Sequence, residues 1–294
     1  MESATSGPVS SGTVPPGTAT VDIGRAAELA AIFLALHRPG EPLLLPNPWD
    51  AGSARILASL GFAALATTSS GFAATLGRPD GHVSRDESLA HAAVIAAATG
   101  LPVSADLENG FADDPGGVAQ TIALAARTGL AGCSVEDFSG EADTPIYDAG
   151  LAAERVAAAA QEAHAGPVRL VLTARAENYL HGRRDLADTI ARLRSYQEAG
   201  ADVLYAPGLT SADEIRAVVT SVDRPVNVLA LAGGPNVAEL ADLGVSRISV
   251  GGSFAYAAID GLATAARELR ESGTLGFLAR AAAGRAAAAA AFPD

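Results

Sequence analysis

Apolar and polar positions along this chain fall into two alternating patterns. Short, almost unbroken apolar runs occur at residues 42–46, 63–67, 102–106, 132–136, 169–174, 202–206, 225–230 and 247–251. Runs of this length without strict alternation are expected of parallel strands buried on both faces. Between them, residues 50–60, 86–98, 118–128, 151–164, 185–199, 211–219 and 237–243 carry apolar positions at helical spacing. Asp or Ser precedes many of these segments and Gly follows them, the start and stop signals of helices. The pattern predicts repeated βα units closing into a (β/α)8 TIM barrel.

A doubly wound sheet is the competing arrangement. It would call for a glycine-rich phosphate fingerprint after the first strand. The first run leads instead into Asn47-Pro48-Trp49-Asp50, so the barrel is preferred. Residues 261–291 hold more helix than one barrel unit needs. They are expected either to pack on a neighbouring subunit or to form an ordinary C-terminal helix. Residues 1–20, rich in Ser, Thr, Gly and Pro, read as a disordered tail. Residues 21–294 then form a single barrel domain with a C-terminal helical extension.

Composition narrows the chemistry. The net charge is −13 and no basic stripe is visible, so no nucleic-acid partner is expected, and no membrane surface either. No stretch reads as a membrane span, and residues 1–20 lack the pattern of a signal peptide. All 20 cationic residues are arginine. Without lysine the chain can form no Schiff base, which excludes imine-type aldolase chemistry and lysine-held PLP. The one cysteine, Cys133, excludes an intrachain disulfide and a cysteine zinc cluster, and a reducing cytoplasm is the expected compartment.

In a barrel of this type, chemistry belongs at the C-terminal ends of the strands. Those ends carry an unusual share of carboxylates: Asp106 and Glu108 after the third run, Glu136 and Asp137 after the fourth. Like charges brought together need neutralising, and a hard divalent cation does this with oxygen ligands and retained waters. Asp106, Glu108 and Glu136 are therefore the candidate metal set, for Mg2+ or alternatively Mn2+. Asp80, in Gly77-Arg78-Pro79-Asp80-Gly81, is either turned toward that metal's waters or only a turn residue. Ser70, Gly71 and Phe72 follow the second run, where glycine would let backbone N–H groups approach a carboxylate or enolate oxygen. Arg175 suits a bidentate grip on a substrate carboxylate, or else pairs with Glu177 or Glu136. Asn227 could donate to a second carboxylate or be a satisfied structural amide. Trp49, Phe72 and Tyr205 are expected to set the pocket size.

Several segments together resemble the phosphoenolpyruvate mutase/isocitrate lyase superfamily. They are Pro-Asn-Pro-Trp-Asp-Ala-Gly-Ser-Ala at 46–54, Ser-Ser-Gly-Phe at 69–72 and Ser-Ala-Asp-Leu-Glu-Asn-Gly-Phe at 104–111. Val-Glu-Asp at 135–137, Leu-Thr-Ala-Arg-Ala-Glu at 172–177, Gly-Ala-Asp-Val-Leu-Tyr-Ala-Pro at 200–207 and Pro-Val-Asn-Val at 225–228 complete the set. The resemblance implies a (β/α)8 barrel whose eighth helix swaps between subunits, giving a homodimer or homotetramer. It implies Mg2+ held through Asp106, Glu108 and Glu136, with Asp80 in the same shell. Ser70, Gly71 and Phe72 would cradle a 2-oxo acid, and Arg175 would hold its carboxylate or leaving group.

The chain also departs from that pattern. The lyases' cysteine-bearing loop after the fourth strand is replaced by residues 137–147, which contain no Cys, Lys or His. The lyases' Phe-Pro-Glu is replaced by Tyr205-Ala206-Pro207, and Thr68 stands where the phosphonomutases have Trp. Tyr147, Thr144, His181 or a metal-bound water then remain as candidate acids. The expected activity is Mg2+-dependent carbon–carbon cleavage or decarboxylation of a small 2-oxo or 2-hydroxy dicarboxylate through an enolpyruvate-type intermediate. The alternatives are phosphonopyruvate hydrolase or mutase chemistry, and a non-catalytic carboxylate-binding barrel.

Overall fold

The computed structural model describes residues 21–292; the tail expected over residues 1–20 lies outside them. Eight strands alternate with helices: β1 (Leu43–Leu45), β2 (Leu65–Ala66), β3 (Val103–Asp106), β4 (Gly132–Glu136), β5 (Val171–Arg175), β6 (Val203–Tyr205), β7 (Val226–Leu229) and β8 (Arg247–Ser249). All ladders are parallel, in the order β1-β8-β7-β6-β5-β4-β3-β2. The β1/β2 seam carries no ladder but is bridged where Ala66 N–H donates to Pro46 C=O at 3.1 Å. The result is a nearly closed α/β barrel. The apolar runs explain it: Val103, Ala105, Cys133, Val135, Leu172, Val203 and Val228 are all buried, which only strands covered on both faces allow.

The helices are α1 (Ile23–Ala35), α2 (Ala51–Ser59), α3 (Ser69–Thr75), α4 (Arg85–Ala98), α5 (Pro115–Ala125), α6 (Ala149–Ala165), α7 (Leu186–Glu198), α8 (Ala212–Ser221), α9 (Val237–Asp242), α10 (Ser253–Arg267) and α11 (Phe277–Ala291). The starts of α1 to α9 follow the side-chain caps that the sequence supplies. Asp50 accepts from Ser53 N–H at 2.6 Å, and Ser84 and Glu87 form a capping box, each satisfying first-turn donors.

Two helices were not expected. The first is α1, which buries Phe33 fully in its last turn and leads to His37, a neighbour of Arg247 inside the barrel. Phe33 packs so tightly on β4 that a Cβ at Gly132 would lie 3.0 Å from its ring. The second is α3, which occupies what reads in sequence as a simple βα turn.

At the C-terminus, α10 packs on α3, a π-helical turn spans Glu268–Ser272, and α11 packs on α2. Only Ala255 of α10, and no residue of α11, is buried. Among the described residues no helix is long and apolar enough to cross a membrane.

Candidate active site

The ladder register carries one row of polar side chains across the barrel. Glu136 on β4 pairs with Arg175 on β5, Arg175 with Tyr205 on β6, Tyr205 with Asn227 on β7, and Asn227 with Arg247 on β8. Barrel strands tilt against the axis. The row therefore descends from the last residue of β4 at the mouth to the first residue of β8 near the floor.

Arg175 is the hub. Its Nη1 lies 2.9 Å from Asp106 Oδ1, its Nη2 3.0 Å from Glu136 Oε2 and its Nε 2.8 Å from Glu177 Oε1. Burial opposes its charge, but Glu136, Glu177 and Asp106 outweigh that and hold it firmly protonated. Asp106 accepts further bonds from Ser69 N–H at 3.2 Å and, at 3.4 Å, from Glu108 N–H. Its own N–H donates to Thr67 Oγ1 at 2.9 Å, fixing the strand end.

Negative charge remains in excess. Glu108 makes no ion pair among the described residues; burial, then the neighbouring Asp106 and Asp80, push its carboxyl up to about 8. Burial also lifts Glu136 well above the usual carboxylate range, with Arg175 opposing. Asp80 is raised mainly by burial, with Asp106 adding to it. One guanidinium does not offset the burial and mutual repulsion of these carboxyls, and a further cation would favour their ionised forms.

A cavity of about 180 Å³ opens beside this cluster. Ser69, Ser70, Asp80, Asp106 and Arg175 line one side; Asn47, Tyr205, Asn227, Arg247 and Ser249 line the other side and the floor. Asn47 ties the mouth together, donating to Thr67 C=O at 3.0 Å and accepting from Val250 and Gly251 N–H at 3.0 and 2.9 Å. Gly252 is needed for Ser70 to stand here, since a Cβ would fall 2.5 Å from Ser70 Oγ.

Asp106, Asp80, Ser70, Arg175 and Asn227, all singled out in the sequence, meet at this cavity. Glu136 joins through Arg175, and Glu108 lies close enough to feel the charges of Asp106 and Asp80. Gly71 stands behind the wall for a different reason from the expected backbone approach. A Cβ there would lie 2.6 Å from Thr68 Cγ2 and 3.2 Å from Ala255 Cβ, so the glycine lets α3 pack against α10.

Trp49, Phe72, Tyr147 and His181 do not line the cavity. Phe72 stacks on His91 at 3.8 Å, and His91 Nε2 lies 2.9 Å from Trp49 O. Tyr147 donates to Asp113 Oδ1 at 2.5 Å, and burial followed by that bond pushes its hydroxyl up to about 12. His181 stacks on Phe138 at 3.8 Å. Thr144 lies in the hairpin joined by the Phe138–Ile146 bridge, its carbonyl accepting from Ser139 Oγ at 2.6 Å. Sequence reasoning missed Arg247 and Ser249, although an arginine opening an otherwise apolar strand is itself a signal.

The residues present fit a hard cation. The donors are carboxylate oxygens, and Glu108 and Asp80 are raised by burial and then by the neighbouring carboxylate charge, which the nearby Arg175 only partly offsets. Among the described residues no three His, Cys, Asp or Glu side chains form a ready chelate. A cation here would rest on one or two carboxylates and water, which suits Mg2+.

Comparison with known proteins agrees with the architecture. A crystal structure of a protein from Burkholderia cenocepacia J2315, assigned as a lyase/mutase, superposes with a TM-score of 0.86 at 56% identity, covering 90% of this chain and 96% of the other. The structure of 2,3-dimethylmalate lyase, a PEP mutase/isocitrate lyase superfamily member, matches at 27% identity and a TM-score of 0.76, over 86% of this chain and 89% of that one. Oxaloacetate decarboxylase from Chromohalobacter salexigens is 31% identical over 81% of this chain and 84% of its own length. The model of the phosphoenolpyruvate phosphomutase family matches residues 33–270. With the barrel and the segments that carry the resemblance, this match shows that the chain belongs to the phosphoenolpyruvate phosphomutase family, within the PEP mutase/isocitrate lyase superfamily.

Proposed function

We propose that this protein is a Mg2+-dependent lyase that cleaves or decarboxylates a small 2-oxo or 2-hydroxy dicarboxylate. The observation that carries this reading is the cluster around Arg175: one guanidinium within 3.0 Å of Asp106, Glu136 and Glu177, beside only partly compensated Glu108 and Asp80, facing a small polar cavity. The similarity to an oxaloacetate decarboxylase and a dimethylmalate lyase supports the same reaction class.

Breaking a carbon–carbon bond beside a 2-oxo acid leaves negative charge on the keto oxygen. Asp106, Glu108 and Glu136 would hold the metal directly or through water, with Asp80 beside them. Bound Mg2+ supplies Lewis-acid stabilisation of that charge. The chain's own residues do the rest. Arg175 presents a fixed guanidinium fork, already aligned by its carboxylates, to an incoming carboxylate. The Ser70 hydroxyl, 3.2 Å from Thr68 Oγ1, offers a neutral donor to the same cavity. The Asn227 amide is held by Arg247 and Ser249 at 2.9 and 3.0 Å, so its orientation is set before substrate arrives.

The test is pyruvate formation from oxaloacetate and from substituted malates, with Mg2+ and then with excess EDTA. EDTA-sensitive turnover of one of these acids is expected. The reading fails if none of them turns over while the folded protein binds them. A second reading, cleavage or rearrangement of a carbon–phosphorus bond, is favoured by the family model itself. Release of phosphate from phosphonopyruvate would select it.

We also propose that the protein assembles as a homodimer or homotetramer through its C-terminal arm, where Phe254, Tyr256, Ile259 and Leu262 are exposed on α10. A cytoplasmic location is part of the same proposal.

A further inference from the structure

Arg247 is a buried cation that no carboxylate among the described residues neutralises. It is 4% exposed, and it lines the cavity floor. Among the described residues no carboxylate lies within ion-pair distance of it, whereas Arg175, one cavity wall away, has Asp106, Glu136 and Glu177. All the protein partners of Arg247 are neutral. Its Nε donates to Asn227 Oδ1 at 2.9 Å, and its Nη1 lies 3.1 Å from Thr173 Oγ1 and 3.3 Å from His37 Nε2.

His37 cannot act as a hidden countercharge. Its Nδ1 lies 2.8 Å from Phe33 C=O, which only an N–H can satisfy, so its Nε2 is the lone pair that accepts from Arg247. Burial, followed by the charge of Arg247, pushes the imidazole down to about 3. For Nη2 the described residues offer no hydrogen-bond partner. A guanidinium buried without a countercharge is costly, and an anion that reaches it relieves that cost.

The geometry says where such an anion would come from. Arg175 and the carboxylate cluster stand toward the mouth, and Arg247 stands at the lower end of the same register row. The cavity between them is small, well below the roughly 300–1,000 Å³ of pockets for larger ligands. A short acid with an anionic group at each end would span it. We propose that Arg247 is the specificity-determining residue of this site: it binds the distal anionic group of the ligand and so selects di-acids over mono-acids. Asn227 and Ser249 serve it as positioning residues, because the Asn227 amide bridges Arg247 to Ser249. The inference rests on the reading of the site as one for 2-oxo or 2-hydroxy acids, and names the part of the ligand that the cluster at the mouth leaves unassigned.

The test is calorimetric titration of the full-length protein, with Mg2+ present, using malate and pyruvate as probes. Wild-type protein should bind malate more tightly than pyruvate. Arg247→Met should weaken malate binding by roughly 10- to 100-fold, the loss expected of a charge-assisted contact, and change pyruvate binding by no more than about twofold. Arg247→Lys keeps the charge without the fork, so malate binding should fall less than in Arg247→Met. Far-UV circular dichroism and thermal melts of both variants identify unfolding, and Arg247→Lys carries the test if Arg247→Met does not fold. Equal weakening of malate and pyruvate, or an unchanged preference for malate, would overturn the role of Arg247 while leaving the functional reading intact. Failure of wild-type protein to bind either acid would overturn that functional reading, and this inference with it.

Discussion

Arg155 on α6 is a backbone clamp, and removing it should loosen the acidic loop more than the barrel. Its Nη1 donates to Ala112 and Asp113 C=O and its Nη2 to Asn109 C=O, while its guanidinium covers the Tyr147 ring at 4.1 Å. The loop so held begins with Glu108, and it is strained: Glu108 and Phe111 have φ of 47° and 56°, unusual for residues with a Cβ. Conformations of this kind cost about 1–3 kcal/mol each, so the pair stores about 2–6 kcal/mol. Bonds from a charged donor contribute about 1.5–3 kcal/mol each, so the clamp supplies about 5–9 kcal/mol, enough to hold the strained form. Arg155→Met removes those donors and leaves three part-buried carbonyl acceptors without them. A net loss of about 3–5 kcal/mol is expected, or a fall in Tm of about 6–10 °C for a chain of this size. Hydrogen exchange at the Gly110 and Phe111 amides is the decisive assay, because both are hydrogen-bonded within the loop, to Leu107 C=O and Asn109 Oδ1. Their exchange should rise at least tenfold more than that of amides on β7, and Mg2+ affinity should fall with it. If Tm falls but these amides exchange no faster than those of β7, Arg155 is packing for α6 and the clamp argument is wrong.

Other outcomes follow from the same geometry. Asp106→Ala should abolish turnover and Mg2+ binding without unfolding the barrel; unchanged turnover in a kinetic assay would refute the metal assignment. Arg175→Lys should raise KM at least tenfold, because an ammonium cannot span Asp106, Glu136 and Glu177 and still offer a planar fork; a near-wild-type KM counts against the clamp on substrate carboxylate. Glu108, raised to about 8 in the fold, holds a proton there that the unfolded chain releases near pH 4.5. In EDTA its contribution to stability is therefore present below about pH 4.5 and lost as pH rises through about 8. Glu108→Gln should then melt higher than wild type at pH 8 and no higher at pH 4, and an equal difference at both would refute the shift. Leu262→Asp, at a position 71% exposed on α10, should lower the mass measured by light scattering to that of the monomer, with no change for a control at Leu60 (69% exposed).

The strands were legible because burial on both faces leaves a compositional trace, and the mouth was legible because carboxylates at strand ends are rare without a reason. Side-chain direction was not. Tyr147 and His181 follow strands in sequence, as catalytic loop residues do. Tyr147, however, is drawn under Arg155 to Asp113, and His181 lies flat on Phe138. Gly71 looked like a ligand cradle, yet its missing Cβ is needed by Thr68 and Ala255. Arg247 escaped notice for a geometric reason. The expectation that chemistry sits at C-terminal strand ends directs attention away from the first residue of β8. Strand tilt brings that residue into the same register row as Glu136, the last residue of β4.

That row explains why the barrel tolerates so poor an electrostatic arrangement. Folding alone would favour an apolar barrel interior, because buried ion pairs seldom repay their desolvation. Here Asp80, Asp106, Glu108, Glu136 and Glu177 crowd one end around Arg175, while Arg247 stands at the other without a countercharge. Each end is unstable in the sense that its missing charge supplies: a cation among the carboxylates, an anion at Arg247. A divalent metal and a doubly charged acid satisfy both at once, and neither alone does. Local rules broken together at one site, with complementary remedies, are what a binding function requires of a fold. It follows that metal and di-acid should bind cooperatively, each raising the affinity of the other by the same factor. Arg247→Met should reduce that factor for malate while leaving the affinity for Mg2+ alone unchanged. A calorimetric cycle that found malate and Mg2+ binding independently in wild-type protein would show that the two unbalanced ends are not parts of one site.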